Sequence, residues 1–246
     1  MARSADLVVV ADGVHSRLRA TLFPDYPGPR YAGYAAWRGV VPAAARLRVT
    51  EGLVETWGDG LRIGVTPLRD GRIYWYALAS AATGATNGPD VTRLGVRPGS
   101  WPDPIPQVLA ATPPEAVLRH DVHYLDSALP SFVRGPIALL GDAAHAITPD
   151  VGQGAGLAIE DAVVLAAAAG QHGVSEGLRA YDAARRPRTQ RLARTSGRMG
   201  RALQGGRPGT ALLRDVVARC TPPAANTRFT DSLYGWTPPG LSAAAH

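Results

Sequence analysis

The stretch "GDAAHAITPDVGQGAGLAIEDA", Gly141–Ala162, decides the fold. It follows the apolar run "IALL" and opens into "GLAIEDAVVLAAAAG", whose composition is that of a strong helix former. The reading is a buried strand ending in Gly-Asp, a loop punctuated by Gly152, Gly154 and Gly156, and a helix that starts near Gly154 or Gly156 and stops at Gly170. In open α/β sheets ligands bind beyond the carboxyl ends of strands, and a helix N-terminus offers unpaired amides and a positive dipole end. Glycines let the backbone approach a flat or anionic ligand closely, and Asp142 is placed to accept hydrogen bonds from sugar-like hydroxyls. Such a loop suits a polyol and an anion rather than a catalytic triad. Gly-Asp and Gly-x-Gly also mark ordinary turns, so taken alone the loop leaves both readings open.

Working outward, a second strand-like run precedes another acidic turn in "ADLVVVADGVHSRLR". Leu7 to Ala11 reads as a fully buried strand, Asp12-Gly13 as its turn, and the residues after it as a short helix. Between the two acidic turns the texture changes. Pro, Gly and aromatics from Pro24 to Pro42 mark a domain crossing. "LRIGVTPLRDGRIYWYALAS" is a hairpin around Arg69-Asp70-Gly71, with Ile73, Trp75 and Ala77 on one face of its second strand and Tyr74, Tyr76 and Leu78 on the other. Neither face is fully polar, which predicts cover on both. Residues 81 to 106 read as a long loop with a short helix near Val91–Leu94, "PQVLAATPP" as a short helix stopped by prolines, and "AVLRHDVHYLD" as a strand. Two buried strands with acidic ends, separated by a β-rich insertion, imply one sheet interrupted by a second domain, an α/β chain that is α+β overall. After Gly170 a helix over roughly Ser175–Arg185 meets Pro187, and an arginine-rich helix resumes beyond it.

The bulk properties narrow the function classes. A chain of 246 residues with 46% apolar content can bury a large core. All 26 basic residues behind the net charge of +6 are arginine, and nine of them lie between Arg179 and Arg207 with no aromatic stacking series interleaved. That pattern predicts a solvated helix face and no nucleic-acid partner. Cys220 is the only cysteine, which excludes an intrachain disulfide and a cysteine-built metal site and fits a cytoplasmic setting. No apolar run approaches the ~20 residues of a membrane span, so no membrane partner is expected. His120 and His123 share a strand face without evident further ligands, so no metal site is expected, and His145 reads as a packed or solvent-facing residue rather than an acid or base.

The same residues carry a resemblance to a known family. Gly141–Ala162 resembles the second flavin-binding motif of the single-component FAD-dependent aromatic hydroxylases, the p-hydroxybenzoate hydroxylase type, and "DGVHSRLR" resembles that family's middle Asp-Gly motif. "GYAAWRGVV" and "LRAYDAARRPRTQR" are similar to further stretches of its members. The resemblance implies a Rossmann-like FAD-binding domain split by a β-sheet substrate domain, with 1–24 and 134–246 in the former and 25–133 in the latter. It implies that Gly141 and Asp142 meet the ribityl chain of FAD, and that Pro149, Gly152, Gln153 and Gly154 lie along the isoalloxazine ring. Asp12, Gly13, Ser16 and Arg19 would sit near the flavin and the NAD(P)H pyrophosphate. Arg38, Trp57, Tyr74 and Tyr76 are the substrate-domain candidates. The implied activity is hydroxylation of a small aromatic substrate with NAD(P)H and O2, and it needs no side-chain nucleophile.

The family's opening strand-turn-helix with Gly-x-Gly-x-x-Gly, which holds the FAD pyrophosphate, has no counterpart in this sequence. The expectation is therefore an N-terminally truncated chain, or one half of a split enzyme whose other half a separate chain supplies, with weak FAD binding in isolation. The competing expectation is a non-catalytic remnant or interaction module. A flavin halogenase or FAD-dependent reductase is a weaker one.

Overall fold

The computed structural model describes residues 5–49, 51–84, 91–96, 99–204 and 210–239. Parts of the loop expected over 81–106, Arg207 of the arginine-rich stretch and the end of the tail lie outside the described residues. The elements run β1 (Val8–Val10), α1 (Arg17–Leu22), β2 (Arg30–Val41), β3 (Val54–Trp57), β4 (Leu61–Pro67), β5 (Ile73–Ser80), α2 (Ile105–Ala110) and β6 (Leu118–Tyr124). They continue with β7 (Val133–Arg134), β8 (Ile137–Leu139), α3 (Asp142–His145), α4 (Gly154–Gln204), α5 (Thr210–Cys220) and α6 (Pro223–Tyr234). The chain divides into two compact units, the first built from Met1–Arg30, His123–Gly200 and Arg219–His246, the second from Tyr31–Val122 and Arg201–Ala218.

The first unit contains a three-stranded sheet ordered β1-β8-β7. β1 and β8 are parallel, with Val8 opposite Ile137 and Val10 opposite Leu139, and the Leu140 amide extends the ladder to the Val10 carbonyl at 2.9 Å. β7 returns against β8 through Gly135, whose φ of 57° a tight hairpin requires. Leu139, Ala143, Phe132, Val10 and Tyr181 form the core here with Val164, Leu165 and Leu178 of α4. The expectation of a fully buried first strand needs correction. Only Val10 is buried, while Val8 and Val9 are 39% and 47% exposed, because β8 is the only described strand that pairs with β1.

The second unit is a five-stranded sheet ordered β3-β4-β5-β2-β6. The hairpin expected at Arg69-Asp70-Gly71 joins β4 to β5, with Pro67 opposite Ile73, and the Asp70 carboxylate accepts the Arg72 amide at 3.2 Å. Alternation divides the two faces as the sequence indicates. Ile73, Trp75 and Ala77 join Ile63, Val65, Val41 and Trp37 in the core beneath α2, and Tyr34, Ala36, Leu78 and Val122 form a smaller cluster on the opposite face. The stretch read as a crossing between Pro24 and Pro42 is in fact mostly β2, the 12-residue strand that pairs with β5 along its length. β3 also forms where no strand was expected.

α4 contains one interruption, at Gly173, where φ 73° and ψ 170° separate two helical segments. The expected stop at Gly170 therefore falls three residues later, and Pro187, expected to break the next helix, lies inside it. Among the described residues no helix is long and apolar enough to cross a membrane.

Candidate functional site

The parallel register of β1 and β8 places two acidic turns side by side in the first unit. Asp12-Gly13 and Gly141-Asp142 both emerge at strand carboxyl ends, the position where open α/β sheets bind ligands. The turn after β1 is organised by its own side chains. The Asp12 carboxylate accepts the Arg17 amide at 3.1 Å, and Ser16 caps α1 by accepting the Arg19 amide at 2.9 Å. Burial raises the Asp12 pKa, but hydrogen bonds from Ser16 and nearby amides lower it further and leave it below the usual carboxylate range. Gly13, at φ 82°, has open space where a Cβ would stand.

Arg19 is directed inward. It is 2% exposed, and its guanidinium donates to the carbonyls of Ala143 at 3.0 Å and Val14 at 2.6 Å. The guanidinium ties the first turn to the second.

The second turn begins at Gly141, whose φ of 60° and ψ of −139° are open essentially to glycine. A Cβ there would also stand 3.1 Å from the Ala158 Cβ, so the glycine lets the strand end lie against the start of α4. Asp142 follows as the first residue of α3. It is exposed, and its carboxylate makes no hydrogen bond or ion pair among the described residues. The loop beyond is held from below. The Thr148 carbonyl accepts the Ser196 hydroxyl at 2.6 Å, and Val151 packs with Leu157, Leu192 and Leu233. Pro149 opens a single 3-10 turn, Gly152 closes it in the left-handed region at φ 64°, and Gln153 is buried beneath the first turn of α4. The first hydrogen bond of α4 runs from the Leu157 amide to the Gln153 carbonyl at 2.9 Å, so the amides of Gly154, Ala155 and Gly156 lie at the open positive end of a long helix.

Beneath this surface lies a buried charge cluster that the sequence did not disclose. His145 is packed, as expected of a structural histidine, but its Nε2 lies 2.5 Å from Oδ2 of Asp161. Oδ1 of Asp161 accepts Nε of Arg185 at 2.7 Å, and Arg185 also bridges to Glu160 at 2.7 Å. Arg188 grips both Glu160 oxygens at 2.7 Å. The arginine-rich stretch is therefore not uniformly a solvated face. Arg179, Arg191, Arg194 and Arg198 are exposed, while Arg185 is 1% exposed because two carboxylates of α4 need its charge.

Burial raises the Asp161 pKa, but the hydrogen bond and charge of His145, the Arg185 guanidinium and the Gly141 amide outweigh it and hold the carboxyl below its ordinary range. A lowered folded-state pKa gives stability that is fully present above the unfolded value of about 3.9 and lost as pH falls through the folded value. The melting temperature of the parent is thus expected to fall as pH drops below about 4, and Asp161→Asn to flatten that acid limb. Calorimetry from pH 7 to pH 2 checks this. An unchanged limb in the variant would contradict it.

In the second unit, strand register puts Glu55, Trp57, Arg62, Gly64, Tyr74, Tyr76 and Arg38 on one sheet face. Trp57 Nε1 donates to Glu55 Oε1 at 2.5 Å, and the Tyr76 hydroxyl donates to Glu55 Oε2. Gly64, opposite Tyr76, leaves room for that ring to lie across the sheet. Burial, reinforced by the Glu55 carboxylate, pushes the Tyr76 hydroxyl well above its ordinary pKa, so it remains a donor. Arg62, fully buried, stands 3.6 Å from Glu55 and donates to Gln204 at 3.1 Å. Three of the four substrate candidates thus share one neighbourhood, Tyr74 beside Tyr76 at 6.4 Å between rings, while Arg38 is exposed opposite Tyr76. Glu55 and Arg62 are the residues that organise this face and that sequence reasoning missed. His123, a weak metal candidate, instead meets His15 edge-on at 5.0 Å.

Two acidic turns at adjacent parallel strand ends, beside the open start of a long helix, have the arrangement by which open α/β sheets bind nucleotide cofactors. Residues 3–196 match the family described as "FAD binding domain", and the chain belongs to that family. It is 46% identical over 164 residues to aurachin C monooxygenase/isomerase of Stigmatella aurantiaca, covering 65% of this chain and 42% of that protein. It is 36% identical over 192 residues to an FAD-dependent urate hydroxylase of Klebsiella pneumoniae subsp. pneumoniae, covering 77% and 50%. Klebsiella pneumoniae HpxO, solved in complex with FAD and uric acid, superposes with a TM-score of 0.82 at 30% identity, covering 94% of this chain and 60% of that one. The chain spans about half the length of the curated relatives it matches.

Proposed function

We propose that this chain forms the flavin-binding part of an FAD-dependent monooxygenase that hydroxylates a small aromatic or heterocyclic substrate, with NAD(P)H and O2 as co-substrates. The observation that carries the reading is the Asp142 carboxylate, without a partner among the described residues, at the end of β8 beside the open start of α4. Asp142 accepts hydrogen bonds from ribityl hydroxyls, with Gly141 allowing the close approach. The loop from Pro149 through Gly152 and Gln153 to Gly154 lies along the isoalloxazine, and the positive end of α4 favours negative charge on the ring. Asp12, Gly13 and Ser16 complete the adjoining turn, and Arg19 fixes that turn against the Ala143 carbonyl. Bound FAD, reduced by NAD(P)H, supplies the redox chemistry and the activation of O2. Arg38, Trp57, Tyr74 and Tyr76 are the substrate-contacting residues of this reading, with Tyr76 held as a hydrogen-bond donor by Glu55. The substrate class follows from the relatives, which are named for urate and for 3-amino-4-hydroxybenzoate. The outer edge of β1, with Val8 and Val9 exposed, is a place for one further strand, from a longer form of this polypeptide or from a separate chain. A cytoplasmic setting belongs to the same reading, supported by a single, exposed cysteine.

The test is titration of the purified chain with FAD, followed by flavin fluorescence quenching. Weak but saturable binding is expected, and Asp142→Ala should weaken it by about 1.5–3 kcal/mol, roughly 10- to 150-fold, the range for a hydrogen bond to a charged group. Equal affinity in a folded Asp142→Ala protein would overturn the assignment.

A further inference from the structure

We infer that Asp161 is a positioning residue for the cofactor: one buried carboxylate grips both ends of the short helix that carries Asp142. The inference rests on the flavin reading of Asp142. At the amino end of α3 the Gly141 amide donates to Asp161 Oδ2 at 2.9 Å, and at the carboxyl end His145 Nε2 reaches the same oxygen at 2.5 Å. The four residues of α3 are thereby suspended between two anchors on a single atom. The other oxygen is saturated by Arg185 at 2.7 Å, which fixes the carboxylate plane. Holding the Gly141 amide sets the peptide entering α3, and with it the direction in which Asp142 leaves the strand end.

Packing alone does not account for a charge in this place. A buried ion network is often replaceable by apolar residues of similar volume without loss of stability, so the network's use lies in specifying geometry. Direct chemistry is also excluded. The side chains of His145 and Asp161 are 3% and 0% exposed, out of reach of a ligand on the surface that Asp142 faces. Arg19 adds a third tie from outside the network, to the carbonyl of Ala143 in the middle of α3.

The experiment uses the full chain and three variants: Asp161→Asn, His145→Gln, which keeps an N–H donor of similar reach, and His145→Leu, which does not. Amide exchange at Gly141 is measured against β5 amides as an internal control, and riboflavin affinity is measured because riboflavin carries the ribityl chain without the pyrophosphate. Asp161→Asn and His145→Leu are expected to speed Gly141 exchange about tenfold or more and to weaken riboflavin binding by a similar factor, with β5 exchange unchanged. His145→Gln should stay within about threefold of the parent in both. If Asp161→Asn does not fold, the two His145 variants decide. Unchanged Gly141 exchange in His145→Leu, or His145→Gln as impaired as His145→Leu, overturns the inference. A parent that binds no riboflavin removes the flavin reading instead, while the exchange data still decide whether Asp161 holds the turn.

Discussion

Replacing Arg185 by alanine is expected to destabilise the protein by about 3–5 kcal/mol, because it removes one partner of a buried ion network and leaves charge uncompensated. Among the described residues Arg185 is the one cation bound to Oδ1 of Asp161, and it also bridges to Glu160 and donates to the Leu157 carbonyl at 3.3 Å. Glu160 retains Arg188 after the substitution, so the carboxylate left short of a partner is Asp161, whose Oδ1 loses its guanidinium while Oδ2 keeps His145 and the Gly141 amide. Loss of the Arg185 guanidinium also exposes one face of Trp236, over which it lies at 5.9 Å. Urea denaturation of parent and variant measures the difference. Adding Asp161→Asn to Arg185→Ala should recover part of the loss, since the Asp161 charge is then gone. A single variant within about 1 kcal/mol of the parent would show the network to be energetically idle.

Trp75→Ala should cost a similar amount, about 3–5 kcal/mol, through a different mechanism. Trp75 is fully buried in β5, its Nε1 donates to the Thr112 hydroxyl at 2.8 Å, and its ring fills the space where a side chain at Gly39 would otherwise stand. Truncation leaves a cavity in the middle of a sheet whose neighbours are fixed by register, with Gly39 on one side and Val65 on the other, so collapse is limited. The Thr112 hydroxyl keeps its bond to the Val108 carbonyl at 2.7 Å and adds little to the loss. Trp75→Phe, which refills most of the volume, should restore more than half of the stability. Thermal or urea unfolding reads this directly, and an alanine variant that loses less than about 1.5 kcal/mol would mean that the core beneath α2 repacks freely.

The parts of the molecule legible in the sequence are those with local signals. β8, its Gly-Asp turn and α4 follow from an apolar run, a glycine and a helix-forming composition within about 30 residues. The β4–β5 hairpin follows from Asp70-Gly71 between alternating runs. β2 was not legible, since prolines lie near both ends and its inner residues, Tyr34, Ala35, Ala36 and Trp37, are all buried, so no polar alternation marks it. The Asp161 network was hidden for a different reason. Arg185 lies 24 residues from Asp161, outside the three- and four-residue spacings by which helix charges announce their partners, and it looks like any other arginine of a basic helix. Glu55 was equally silent, because its partners Arg62 and Tyr76 come from the next strand and the one beyond it, and only register joins them.

The pairing of β1 with β8 also sets the order in which the protein can be completed on the ribosome. Arg19 and its acceptor Ala143 are 124 residues apart, and Val10 meets Leu139 across a similar interval. At synthesis rates of about 5–20 residues per second, the first acidic turn waits on the order of 10 s for the second to leave the exit tunnel. During that time the valines of β1 have no β8 to pair with, and unpaired strand edges of this kind are what make a partly folded chain prone to aggregate. The excursion through Tyr31–Val122, which finds its partners mostly within itself, can fold first. The corner that joins the two acidic turns is therefore closed only once Leu139 and Ala143 have left the tunnel, after all five strands of the second unit.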